Sequence, residues 1–425
     1  MAELLIAMSF FIVIMVIGSQ AFDLIITQSS KYGKTEESNV EGVIGLEMMR
    51  HDIEQAGFGL PWGFGAKPPS TPEGEIIAGT VTYNEATDTT GLNLNDTTNG
   101  TASSGQPPRA FAGLGAAGAF SSDYFAIKGT TVGRSKAAQN WTYIPYNNYS
   151  GSSGRESRPV SFSSNNPEVG DYVTVINSNF NESTRDKLLY VYPGQNDAFW
   201  ISYKTNGTIS DYYLPGTDQN TSMVYGIMKP DSGSQPRMPF NRADFFIKVP
   251  SVSSTGNNLP AYCAPLTGVL YKATVNHKSS SGSGGDYNYL PLMDCVADMQ
   301  VVLGWDSSDG GAANMVDTYS TLPSSAGAFT VVGSASTSTV QGWLATAKGV
   351  RDHLKIVKVY ILAQEGKRDV AFTSPVTSYS LGDIQTNGGL APKVFTLSTD
   401  PDQRSYRWKV YRIVARPKNL YSNQH

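Results

Sequence analysis

The chain has 425 residues, 40% of them hydrophobic and only 16% charged, with a formal net charge of −4. So weak a net charge supplies no global field for holding nucleic acid or an anionic lipid surface. Abundant Gly, Ser, Thr, Asn and Tyr exclude a charge-rich disordered chain and suit a β-rich exported protein with long polar loops.

The first segment, MAELLIAMSFFIVIMVIGSQAFDLII, is apolar from Leu4 to Ile26 except at Ser9, Gly18, Ser19, Gln20 and Asp23. Roughly 20 such residues, rising about 1.5 Å each as a helix, span a hydrocarbon core about 30 Å thick. Glu3 beside this run costs several kcal/mol in hydrocarbon unless a partner neutralises it. The simplest partner is a positive chain terminus, its own or that of a neighbouring copy. Farther on, Val43, Leu46, Met49, Ile53 and Ala56 recur at three- and four-residue spacing and predict one helix face, with Gly57 as C-cap. A continuous helix from Leu4 to Ala56 would be about 80 Å long, greasy all round in its first half and amphipathic in its second. The predicted fold class is therefore α+β: a long hydrophobic helix over 1–56 packed on a large β-rich head over 57–425.

Within the head, 57–120 reads as Gly/Pro/Thr-rich loops with one strand near Glu75–Tyr83. Strands are expected over 121–129 and 169–177, where Tyr124 and Ala126, and Tyr172 and Thr174, alternate. The Asn/Ser/Tyr-rich stretches 130–168 and 177–260 exceed ordinary loop lengths and predict short antiparallel strands that form an inserted β subdomain over about 130–260. SSSGSGG (Ser279–Gly285) reads as a loop tip, and a strand is expected between SSAGAF and SASTSTVQGW. Trp343–Arg351 predicts a short helix feeding a strand Leu354–Leu362, and Arg404–Arg416 a final strand.

Chemistry-bearing motifs are sparse. His51, His277, His353 and His425 lack metal-ligand spacing, and no HExxH, CxxC or GxSxG occurs. No catalytic residue, cofactor or enzymatic activity is expected. Gly113-Leu-Gly115-Ala-Ala-Gly118 matches GxGxxG but lacks the strand before it and the helix after it that dinucleotide binding needs. Asp306, Asp309 and Asp317 are weak candidates for a cation site, because Ca²⁺ accepts carboxylates, against the plainer reading of an Asp-rich turn. Asn-x-Ser/Thr sites at Asn95, Asn99, Asn140, Asn148, Asn181, Asn206 and Asn220 are glycosylation candidates. The basic, aromatic run Arg404–Lys418 is read as an alternating strand, with Tyr406, Trp408, Val410 and Val414 on one face and Arg412 out of pattern. Single-stranded nucleic acid is the alternative it displaces. In an exported protein Cys263 and Cys295 most often pair, contributing about 3–4 kcal/mol; two inert thiols are the alternative.

MAELLIAMSFFIVIMVIGS resembles the N-terminal helix of type IV pilins and pseudopilins, and MMRHDIEQAGFG is similar to the helix end of PilW-like minor pilins. SSDYFAIKG (Ser121–Gly129), VGDYVTVIN (Val169–Asn177), GVLYKATV (Gly268–Val275) and LMDCVADMQVVLGWDSSDG (Leu292–Gly310) agree with that family. WLATAKGVRDHLKIVKVYILAQEG (Trp343–Gly366) and YRWKVYRIVARPKNL (Tyr406–Leu420) follow in the same order. The family's Glu lies two residues deeper in the mature chain, after a Phe-first terminus, and no leader ending in Gly is visible. Either two residues are absent here or Met1 is not the mature end. The resemblance implies a pilus subunit, or fimbrial protein, that waits in the inner membrane and meets a prepilin peptidase and an assembly machine. It then polymerises into an extracellular filament with copies of itself or cognate pilins. Glu3 would neutralise a neighbour's terminus, and Leu4, Leu5, Phe10, Phe11 and Ile14 would pack in the filament core. Gly18 is the point at which the helix could loosen, although the family's nearby Pro is missing. A scarce priming or tip pilin and a secretion-system pseudopilin are the alternatives within the family, and a membrane-anchored adhesin the alternative outside it.

Overall fold

A computed structural model describes residues 2–66, 77–78, 81–85, 94–96, 103–133, 135–145, 159–162, 165–181, 184–191, 199–206, 210–212, 221–230, 235–251, 258–277, 287–308, 315–383 and 390–421. The fold is α+β: one long N-terminal helix followed by a strand-rich body.

Helix α1 runs without interruption over Ala2–Glu54. It ends two residues before Ala56, and the chain then turns through Gly57, whose φ of +83° is the left-handed geometry expected of a residue closing a helix. The Gly57 N–H donates to the Lys128 carbonyl at 2.9 Å, fixing the helix exit to the body. The buried face of α1 is Gly42, Gly45, Leu46, Met49, Asp52 and Ile53, and Ala56 just past its end is buried too. Val43, assigned to that face by spacing, is instead exposed. Two glycines explain the rotation: a Cβ at Gly45 would lie 2.1 Å from the Leu292 carbonyl oxygen. The helix therefore approaches the body through bare backbone, and a hydrophobicity pattern does not register glycine as a contact surface.

The strands are, in order, β1 (Gly63–Ala66), β2 (Ile77–Ala78), β3 (Val81–Tyr83), β4 (Ser103–Gly105), β5 (Phe111–Leu114), β6 (Tyr124–Gly129) and β7 (Trp141–Ile144). Next come β8 (Tyr172–Asn181), β9 (Thr184–Val191), β10 (Ile201–Ser202), β11 (Ser222–Met228), β12 (Asn241–Lys248), β13 (Gly268–Val275) and β14 (Tyr287–Trp305). The last are β15 (Thr318–Thr321), β16 (Val331–Gly333), β17 (Leu354–Glu365), β18 (Ser378–Leu381), β19 (Lys393–Thr396) and β20 (Arg407–Ala415). Helices α2 (Lys136–Gln139), α3 (Thr337–Ala345), α4 (Ala347–His353) and α5 (Lys418–Tyr421) are short.

Among the described residues, nine strands form the main sheet, in order β16-β15-β14-β13-β12-β6-β5, with β17 also on β14 and β20 on β17. The long strand β14 carries β13 along Tyr287–Val296 and β17 along Val296–Trp305. At this hand-over the register shifts, and Cys295 takes φ +53°, as happens where a bulge bends a strand. Cys263 is bonded to Cys295 there, with Cα atoms 5.0 Å apart. The disulfide thus pins the bend from which β14 passes between neighbours.

One face of this sheet receives α1: Leu46, Met49 and Ile53 join a core with Val296, Met299, Val357, Ile361 and Ile413. The other face, around Leu362 and Trp408, is covered by the β18–β19 hairpin through Leu381 and Leu397. A second sheet runs β2-β1-β9-β8-β11-β7, with β10 on β8. Its own small core holds Ile144, Val173, Val175, Tyr203 and Tyr212.

Several expectations are corrected. The described residues of 57–120 contain five short strands rather than one, because a sheet edge needs only a few residues and Gly does not prevent pairing. Strand β6 begins at Tyr124 and is buried on both faces, so alternation understated its burial. The segment expected as one helix over Trp343–Arg351 is two, α3 and α4, each started by a hydroxyl cap: Ser336 accepts from the Thr339 N–H and Thr346 from the Gly349 N–H. In β20, Val414 is exposed while Ile413 and Ala415 are buried. The hairpin covers the even-numbered face only near Trp408, and farther on α1 covers the odd-numbered one, which also accounts for Arg412.

Candidate assembly surface

The two halves of α1 are in opposite situations. Between Ile6 and Asp23 the helix is long and apolar enough to cross a membrane, and none of that window is buried by the rest of the chain. Phe10 is 65% exposed, Phe11 62% and Ile14 67%. Glu3 is exposed in the first turn. Leu4 and Leu5 lie on this segment, but their side chains fall outside the described residues. Gly18 has open space around it, and the helix continues straight through. No segment of the body folds back to shield this half among the described residues, so the apolar stripe circles the whole rod.

From Gly42 onward the same helix is fastened. Lys272 Nζ on β13 lies 2.7 Å from Asp52 Oδ2, and both side chains are buried. Burial pushes the Asp52 carboxyl up from its ordinary range, and the Lys272 charge pulls it back. Lys418 Nζ on α5 meets Glu54 Oε2 at 2.6 Å, and Asn419 Nδ2 donates to the Gln55 carbonyl at 3.2 Å. Arg50 bridges Glu47 and Glu54 along the helix. Between the fastened part and β20 runs a groove of about 510 Å³ lined by Val43, Leu46, Arg50 and Tyr411–Val414. Exposed Val43, Ile44 and Val414 lie at or beside it. Rigid attachment at one end and an unshielded apolar rod at the other can do one thing chemically, which is bury hydrocarbon against lipid or against other rods. At about 25 cal/mol per Å² that is a strong, non-directional attraction.

The other sequence candidates are placed as follows. Asp306 Oδ1 accepts from the Ser308 N–H at 2.9 Å, and Asp317 Oδ1 from the Ser307 N–H at 3.1 Å, as Asp-rich turns do. Asp309 lies outside the described residues. Among the described residues, no group of three or more His, Cys, Asp or Glu side chains is placed to hold a metal ion. His353 Nδ1 donates to the Asp306 carbonyl at 2.8 Å and its ring stacks on Trp343. His51 is exposed, His277 is buried, and His425 is outside the described residues. The GxGxxG stretch begins inside β5, a strand the sequence did not reveal, and passes into a turn rather than a helix of useful length.

Of the glycosylation candidates, Asn206 is exposed. Asn140 is buried and its amide donates to the Asn166 carbonyl at 3.0 Å. Asn95 accepts from Arg242. Asn181 ends β8, with its side chain outside the described residues, as Asn99, Asn148 and Asn220 are entirely. Sequence reasoning missed the Asp52–Lys272 pair and the glycine contact. An Asp on the apolar face of a helix was the available signal for the first, since a carboxylate there requires a buried partner.

No protein-family model, curated protein or solved structure matches the chain.

Proposed function

We propose that this protein is a structural subunit of a type IV pilus-like extracellular filament, polymerising through the apolar half of α1. The observation that carries the reading is the asymmetry of that helix. Its last part is locked to a β-rich head by packing and ion pairs, while residues 6–23 expose apolar side chains on every side. A rod of this kind stays in the inner membrane until an assembly machine transfers it to the centre of a bundle of like rods. In that bundle Glu3 meets a neighbour's terminal amine. The pair neutralises two charges and sets axial register, a role better attested for buried charge pairs than net stability. The head, with its PilW-like character, then decorates the surface.

Glu3→Lys tests the reading in cells that make the protein. Loss of surface filaments with the variant retained in the membrane fraction is expected. Filaments in wild-type number and length would refute it.

A further inference from the structure

The body holds a second ionic assembly, separate from the Asp52–Lys272 pair. Lys128 on β6 has a fully buried side chain, and its Nζ contacts both Glu85 Oε2, at 2.7 Å, and Asp96 Oδ2. Glu85 is equally buried and also accepts the Asp96 backbone N–H at 2.7 Å, so it touches both partners of the Lys128–Asp96 pair. The second Asp96 oxygen, Oδ1, accepts from Arg109 Nε at 2.6 Å. The buried rings of Phe240 and Tyr83 close the surroundings, with Lys128 Nζ 5.6 Å from the centre of the Phe240 ring. Arg242 pairs with Glu85 at 3.0 Å and with Asp244 at 2.7 Å. Three cations, Lys128, Arg109 and Arg242, therefore face three carboxylates, Glu85, Asp96 and Asp244.

An amine and a carboxyl group held in contact in a dry pocket, with a second carboxylate able to move protons, is the geometry of amide formation. Such preorganisation supplies effective concentrations far above any reached in solution. We propose that Lys128 and Asp96 become joined by an intramolecular amide bond in the folded head, with Glu85 as proton carrier. Lys128 passes one proton to Asp96 Oδ2, the freed amine attacks the carbon of the carboxyl group so neutralised, and Glu85 Oε2 takes a second proton from the nitrogen. Arg109, hydrogen-bonded to Oδ1, stabilises the charge that develops on that oxygen. The C–N bond forms and the C–Oδ2 bond breaks. Oδ2, which already carries the first proton, leaves as water when Glu85 returns the second one to it. Ammonium plus carboxylate gives amide plus water, so no oxidant or co-reactant is required. The product removes one charge of each sign, leaving Arg109 and Arg242 against Glu85 and Asp244, so the pocket stays neutral. It also replaces two desolvated ions by one neutral group, which relieves the burial penalty that makes such pairs weak stabilisers.

The test is mass spectrometry of the full chain, denatured and reduced, followed by tryptic digestion. The expected results are an intact mass one water below that of the sequence and a branched peptide joining the Asp96 peptide to one left uncut at Lys128. A chain at full sequence mass, with the peptide cleaved after Lys128 as its only form, overturns the proposal. The wild-type result decides this without any variant. Glu85→Gln, checked for folding by retention of the Cys263–Cys295 bond, should lower the crosslinked fraction at least tenfold; an unchanged fraction removes Glu85 from the reaction. The measurement holds whether or not the chain polymerises, so its outcome is separate from that of the filament reading.

Discussion

Lys272 and Asp52 meet at 2.7 Å beneath α1, and this buried pair is the polar link between the helix and the main sheet. Removing one partner strands a charge in a desolvated site. Asp52→Ala or Lys272→Ala should each cost about 3–5 kcal/mol, read as a lowered urea midpoint of the head, whereas Asp52→Leu with Lys272→Met should be close to neutral. Single variants within about 0.5 kcal/mol of wild type would mean that the pair is solvated.

Gly45 sets two effects against each other. In a helix interior Ala is favoured over Gly by about 1 kcal/mol. Here the added methyl would sit 2.1 Å from the Leu292 carbonyl oxygen, a backbone atom that cannot swing aside. Sterics should win, and Gly45→Ala should be destabilising by about 1–3 kcal/mol in chemical denaturation, as overpacked cores are. Gly18→Ala, with open space around it, should stabilise the helix instead.

His277 makes the body sensitive to acid. Its Nδ1 accepts the Arg237 N–H at 3.2 Å and its Nε2–H donates to Asn241 Oδ1 at 3.0 Å, an arrangement that requires the neutral ring. Burial, and secondarily the Arg237 charge, hold its pKa down to about 3 from the ordinary 6.5. The folded state thus binds this proton less readily than the unfolded one. The ring's contribution is complete above pH 6.5 and is lost as the pH falls towards 3, by about 1.4 kcal/mol per unit. His277→Gln, which retains one donor and one acceptor, should flatten urea midpoints across that window. An identical pH profile in the two proteins would contradict this.

The Cys263–Cys295 bond closes a loop of sequence separation 32 at the bend of β14. Replacing both cysteines by Ser should lower unfolding free energy by about 3–4 kcal/mol in the chain-entropy account. A midpoint unmoved by the substitution, or by reductant, would show the bend to be held by packing alone.

What the sequence disclosed depended on whether a signal was local. The apolar run, the end of the helix near Gly57, and the strands around Tyr172, Leu354 and Arg407 are periodic patterns that act over a few residues, and they were readable to within a few positions. The rotation of α1 was not, because Gly42 and Gly45 contribute through the side chains they lack. The Lys128–Glu85–Asp96 cluster was hidden for another reason. Its carboxylates come from a Gly/Pro/Thr-rich stretch read mostly as loops, and its lysine from a strand, so only tertiary folding brings the three together. The exposed half of α1 was evident from composition, whereas Asp52 and Lys272, which fasten the other half, are more than two hundred positions apart in the chain.

The filament reading is tested most directly by shearing surface filaments from cells that make this protein, identifying their main band and imaging them at a resolution that traces helices. The expected result is this chain as a filament component, with the apolar halves of many α1 helices bundled along the axis and the β-rich heads outside. Recovery of the chain only as an unpolymerised monomer in the membrane fraction, with none in the sheared material, would contradict it.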